Sequence, residues 1–206
     1  KDSYCNEQGT DRTEKNCYWR TVMGHANQLR EAKILFASGH LKESIDLFDI
    51  AEDCGSNIID VCLSRGAARV AHGSYQDAEQ DFTRVLAEDK DNERAYYFRG
   101  ISRVALGHHE DAIQDLTQSL TRNHQRGIAH LVRGLAYSEL GEKSDAELDF
   151  NSASAFSEAE LQSFEKLFGT IPSPFQNTKA LLAEENAPWN NLLTGRSADM
   201  LRSLLS

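Results

Sequence analysis

Residues 93–126 read ERAYYFRGISRVALGHHEDAIQDLTQSLTRNHQR, two helical stretches divided by Gly107. The same layout recurs along the chain, because Gly39, Gly73, Gly107 and Gly141 stand at one fixed spacing of 34 residues. Further columns keep that register. Ala32, Gly66, Gly100 and Gly134 are small, as are Ser44, Ala78, Ala112 and Ala146, while Phe48, Phe82, Leu116 and Phe150 are large and apolar. Self-similarity at a fixed period of roughly 20–50 residues marks a stack of supersecondary units.

The columns have a physical reading. Two antiparallel helices that approach closely need small residues at their crossing and a large apolar residue to fill the space beyond it. Glycine supplies the turn between them. One hairpin cannot bury its apolar face alone, so each unit relies on its neighbours. The pattern predicts first helices near 25–38, 59–71, 93–106 and 127–140, and second helices near 41–54, 75–88, 109–122 and 143–156.

These columns resemble the tetratricopeptide-repeat family over roughly residues 25–156. The resemblance implies an all-α fold, a right-handed superhelix of four helical hairpins with an inner groove. The expected division is an N-terminal extension, 1–24, and repeats at about 25–58, 59–92, 93–126 and 127–160. A C-terminal capping helix at 157–170 and an apolar helical tail at 171–206 follow. The capping helix is expected because Ser157-Glu158-Ala159-Glu160 forms a capping box ahead of Phe164, Leu167 and Phe168, and Gly169 stops it. Two features depart from the family. The proline that often closes each repeat is replaced by Ser56, Lys90, His124 and Glu158, and the aromatic near each repeat start survives only as Tyr96, with Gln28, Cys62 and His130 in its slots.

A polar column runs beside the apolar ones. Arg65, Arg99 and Arg133 each precede a crossing glycine, and Asp81, Asp115 and Asp149 follow sixteen residues later. That offset faces them across one hairpin, predicting three ion pairs that set helix register. The first repeat breaks the column with Glu31 and Leu47.

In the family the first helices line the inner surface. Here that surface is assigned to Leu29, Lys33 and Phe36, then Leu63, Ala67 and Val70, then Tyr97, Ile101 and Val104, then Leu131, Leu135 and Ser138. Roughly half of these are expected to serve the inter-repeat core instead. Some family members hold the C-terminal carboxylate of heat-shock chaperones in a clamp of Lys, Arg and Asn; this chain offers Lys33 and Arg94 without the matching Asn. An apolar groove suits an amphipathic helix or an extended apolar peptide of another protein. The tail carries Pro172 and Pro174, then Leu181-Leu182, Trp189, Leu192-Leu193, Met200-Leu201 and Leu204-Leu205. It is too apolar for a solvated linker and is expected to dock in its own groove, in a neighbour's, or on a partner. Two functions follow: an adaptor capturing a foreign segment, held in check by its tail, or a subunit that homo-oligomerises through that tail.

Composition excludes other classes. A net charge of -10 and a pI near 5.2 argue against nucleic acid, and no apolar run reaches membrane-spanning length, so no membrane insertion is expected. No cofactor, metal or catalytic site is expected: nucleophile-elbow, phosphate-loop and dinucleotide signatures are missing, and His40, His72, His108 and His109 cluster at repeat turns. Cys5, Cys17, Cys54 and Cys62 match no zinc spacing and are open to disulfide pairing as 5/17 and 54/62, or to remaining thiols. The lack of an Asn-x-Ser/Thr acceptor favours a cytoplasmic address, while the four cysteines leave a secreted or lumenal one open. Tyr18, Trp19, Val22 and Met23 are expected to cover the open end of the first repeat.

Overall fold

The computed structural model of the chain describes residues 25–168. Among them are eight helices and no strand: α1 (His25–Ala37), α2 (Leu41–Asp53), α3 (Ile58–His72), α4 (Tyr75–Glu88), α5 (Glu93–Ala105), α6 (His109–Arg122), α7 (Gly127–Leu140) and α8 (Lys143–Phe168). The N-terminal extension with Cys5 and Cys17, and the tail from residue 169 onward, lie outside the described residues, as do the expectations attached to them. No described helix is long and apolar enough to cross a membrane.

Local chemistry explains the punctuation. α3 starts where the Asn57 side chain accepts a hydrogen bond from the Asp60 amide, and α5 where Asn92 accepts one from Ala95. The hairpin turns are left-handed caps. Gly73 has φ 85°, its amide bonds back to the Val70 carbonyl, and the Ser74 amide reaches the Arg69 carbonyl, so two orphan carbonyls of α3 are satisfied in one turn. Gly141 repeats this at the end of α7.

Beyond the turn the two helices close on each other where no side chain intervenes. A Cβ at Gly66, Gly100 or Gly134 would lie 2.6 Å from Phe82, 2.7 Å from Leu116 or 2.7 Å from Phe150. Ala78, Ala112 and Ala146 on the facing helices are fully buried at the same crossings. The large residues thus rest on bare backbone, and the hairpin axes approach as closely as the fold permits.

Each helix packs on its predecessor and its successor, so the hairpins stack in chain order. The first helices α1, α3, α5 and α7 also touch one another in series more extensively than the second helices do. The array therefore curves with its first helices on the inner face. A contiguous core runs from Cys62 to Phe150, and a smaller one joins Ala32, Phe48, Ala51, Val61 and Ala68 between the first two repeats.

One expected boundary is corrected. The separate capping helix at 157–170 does not exist as such: α8 runs unbroken from Lys143 to Phe168. No glycine or proline falls between those residues, and a helix already under way elongates far more easily than a new one nucleates. The capping box at Ser157 is passed over.

Gly100→Ala is expected to destabilise the chain by about 1–3 kcal/mol through overpacking against Leu116. Gly107→Ala, which meets no atom within 4 Å but must hold φ 79°, is expected to cost about 1–2 kcal/mol. Urea titration of each variant measures both, and wild-type stability for Gly100→Ala would show the crossing to be looser than described.

Candidate functional site

A cavity of about 270 Å³ opens on the inner face. Four helices build it, all of them first helices: Phe36 from α1, Ala67, Val70 and Ala71 from α3, Arg94, Tyr97, Phe98 and Ile101 from α5, and Ile128 and Val132 from α7. The lining is apolar except for Arg94, which is exposed and makes no ion pair among the described residues. Phe98 anchors the floor, stacked on Phe82 at 5.5 Å and edge-on to Tyr97 at 4.8 Å. Tyr97 is held in turn by Arg126, whose guanidinium lies 4.4 Å from the ring centroid while it grips Glu93 through two hydrogen bonds of 2.8 Å.

The residues assigned to the groove from sequence divide. Phe36, Ala67, Val70, Tyr97 and Ile101 line the cavity. Leu29 and Lys33 line a different depression with Arg30, Ile34 and Ala37 at the first-repeat end. Val104 and Leu135 are corrected to core, at 6% and 1% exposure, and Ser138 is also buried. Leu63 and Leu131 are half-buried against the same core. Ala71, Phe98, Ile128 and Val132 went unassigned because they fall one helical step away from the positions chosen.

A ladder of buried charge lies among the helices. Arg65 reaches Asp81 at 2.6 Å, Arg99 reaches Asp115 at 2.7 Å, and Arg133 reaches Asp149 at 2.7 Å, each through two guanidinium nitrogens. Every arginine also turns back to the second helix of the preceding repeat: Arg65 to Asp49 at 2.7 Å, Arg99 to Thr83 at 3.2 Å and Arg133 to Thr117 at 2.9 Å. One side chain thereby joins three helices. A second arginine, unnoticed in the sequence, completes two of the rungs, Arg69 on Asp81 at 2.7 Å and Arg103 on Asp115 at 2.8 Å. Both stand four residues after a column arginine, which was the available signal.

At the first rung the network widens. Glu52 accepts from Arg65 and from Arg84, and the Arg84 hydrogen bond, working against burial, holds its carboxyl below the usual range. Burial tends to lower the Arg65 titration, but hydrogen bonds and charge from Asp81 and Glu52 outweigh it and raise it. Beside them Cys62 is a buried free thiol, as is Cys54, so the 54/62 disulfide is not formed. Burial, reinforced by the Asp81 charge, pushes the Cys62 thiol up to about 11. Such a group is a poor nucleophile at neutral pH. Among the described residues no group of three or more His, Cys, Asp and Glu side chains is placed to hold a metal ion.

The tetratricopeptide-repeat family model matches residues 63–114 and 99–160. Among solved structures, that of MamA superposes with a TM-score of 0.62 at 19% identity, covering 78% of this chain and 99% of that one. A thermophilic TPR protein of Thermus thermophilus gives 0.57 at 19% identity, covering 87% and 100%. Likeness at that identity concerns the fold. No curated protein matches.

Asp81→Ala removes the partner shared by Arg65 and Arg69 and is expected to cost about 1–3 kcal/mol, with Asp49 and Glu52 still answering Arg65, whereas Arg84→Ala, at the exposed rim, is expected to change stability by less than about 1 kcal/mol. Thermal melts of the two variants test the contrast. Iodoacetamide near neutral pH is expected to modify Cys62 only after denaturation. Alkylation of Cys62 in the native chain at the rate of a free thiol is the contrary result.

Proposed function

Because the chain is a tetratricopeptide-repeat protein, a scaffold for protein–protein interaction, we propose that it holds an apolar segment of another polypeptide in the cavity shared by its first helices, and that it does no chemistry of its own. The single observation behind this is the lining. Side chains from all four repeats converge on one apolar hollow, with Arg94, which makes no ion pair among the described residues, at its edge.

The guest's chemistry follows from those walls. A volume of about 270 Å³ takes one or two large apolar side chains, as an amphipathic helix presents at i and i+3 or i+4. Arg94 favours an acidic residue beside that anchor. The apolar tail, residues 171–206, is proposed as a competitor for the same hollow, because it carries Leu181-Leu182 followed by Glu184-Glu185.

Selection of displayed random peptides on the intact chain is expected to enrich short apolar segments with an adjacent acid. Ala71→Trp fills the hollow from an exposed position and is expected to weaken those peptides by about tenfold or more, a loss of about 1.4 kcal/mol. Arg94→Glu is expected to reverse the preference for acid while leaving the melting temperature in place. Peptides that bind Ala71→Trp as well as wild type sink the proposal. Removing residues 171–206 is expected to tighten peptide binding, and a fall in mass on removal assigns the tail to a neighbouring copy instead.

A further inference from the structure

Each of the last three repeats buries one aspartate, and the first two of these aspartates each have two arginine partners. Asp81 has Arg65 and Arg69, and Asp115 has Arg99 and Arg103. Asp149 has Arg133, but the position one period beyond Arg69 and Arg103 is Tyr137, which supplies no cation. The second partner arrives from elsewhere. His130 Nδ1 stands 2.8 Å from Asp149 Oδ1.

The other face of that imidazole is equally specific. His130 Nε2 stands 3.2 Å from the backbone carbonyl oxygen of His124. A carboxylate and a carbonyl are both acceptors, so both ring nitrogens must donate for both contacts to be hydrogen bonds. Only the imidazolium has two N–H groups. The ring also lies against Phe156 at 5.5 Å and 20°, and the His124 ring meets Phe156 edge-on at 6.2 Å. His130 thus joins α7, the α6–α7 connection and the part of α8 that runs past the hairpin.

We propose that His130 is a proton-operated latch on the fourth repeat: as the imidazolium it ties α8 to the array, and its deprotonation loosens this hairpin and leaves the other three unchanged. The charged and titratable groups tied to it are Asp149 on α8, Arg133 on its own helix through that same aspartate, with Tyr137 acting on Arg133, and the His124 ring, which shares Phe156 with it from the connection. Asp145 on α8 adds negative charge near Arg133, and α6 contributes the uncharged Thr117 hydroxyl.

The sign follows from the hydrogen bonds. With the ring charged both bonds are made. As pH rises the neutral ring keeps one N–H, and its other nitrogen presents a lone pair to an oxygen. The hold on α8 therefore weakens with rising pH. In the second and third repeats the equivalent rungs are arginine–carboxylate only and stay charged across this range.

Hydrogen–deuterium exchange of the intact chain at about pH 5.5 and about pH 8, corrected for intrinsic rates, separates the repeats. Amides of residues 127–156 are expected to lose protection roughly fivefold relative to those of 75–122, the effect of one lost hydrogen bond on a local opening. His130→Tyr places in this slot the residue that the third repeat carries as Tyr96, and is expected to abolish the pH response while the helices stay formed. His130→Gln, which keeps a polar side chain without a titration, is expected to do the same. Protection of 127–156 that is unchanged by pH in wild type, or that changes equally in both variants, overturns the latch. So does an imidazole nitrogen spectrum showing His130 with one proton at about pH 5.5.

Discussion

The two helices of each of the last three hairpins close on each other where a side chain is missing. Leu116 sits where a Cβ on Gly100 would have to be, and Phe82 and Phe150 do the same over Gly66 and Gly134. This contact fixes the distance between the two helices of a hairpin, and every larger feature inherits that distance. Hairpins of equal thickness stack in equal steps, and the first helices of successive repeats come into mutual contact. Four first helices thus share one wall, which no single hairpin can make.

Apolar packing of this kind sets spacing well and register poorly, because Leu, Val and Ala tolerate small slides. Buried ion pairs have the opposite character. Taking charge out of water offsets much of what the pair returns, so Arg99–Asp115 adds modest net stability, but any slide that parts it leaves a charge without a partner. Each column arginine also bonds to the preceding second helix, so the penalty applies between repeats as well as within them. The first repeat has Leu47 where the others have aspartate, but its Asp49, in the slot of Thr83 and Thr117, still bonds Arg65 of the second repeat.

Those two systems were legible in the sequence because both obey the 34-residue period. Helix bounds, hairpin partners and the sixteen-residue Arg–Asp offset all follow from residues that must repeat. What does not repeat was harder to see. Val104 and Leu135 occupy slots equivalent to cavity-lining Val70 and Ile101, and only their neighbours decide that they face the core. The run of α8 past Ser157 turns on a competition between starting a helix and continuing one, which a capping box alone does not express. His130 looked like a lost aromatic; its role depends on Tyr137 failing to be arginine seven residues later.

The cavity itself owes its existence to such a departure. At the slot of Ala67 the third and fourth repeats carry Ile101 and Leu135, and the side chain of Leu135 is fully packed. The α3 helix instead presents alanine at 67 and again at 71, one turn on, and both line the hollow. Two missing side chains on α3 leave space that Phe36 on one side and Phe98 on the other enclose but do not fill. A repeat array with isoleucine at both positions would have the same hairpins, the same arginine ladder and a flatter inner face. The fold is therefore specified by the columns, and the room for a guest by Ala67, where the second repeat falls short of Ile101 and Leu135, with the small Ala71 beside it.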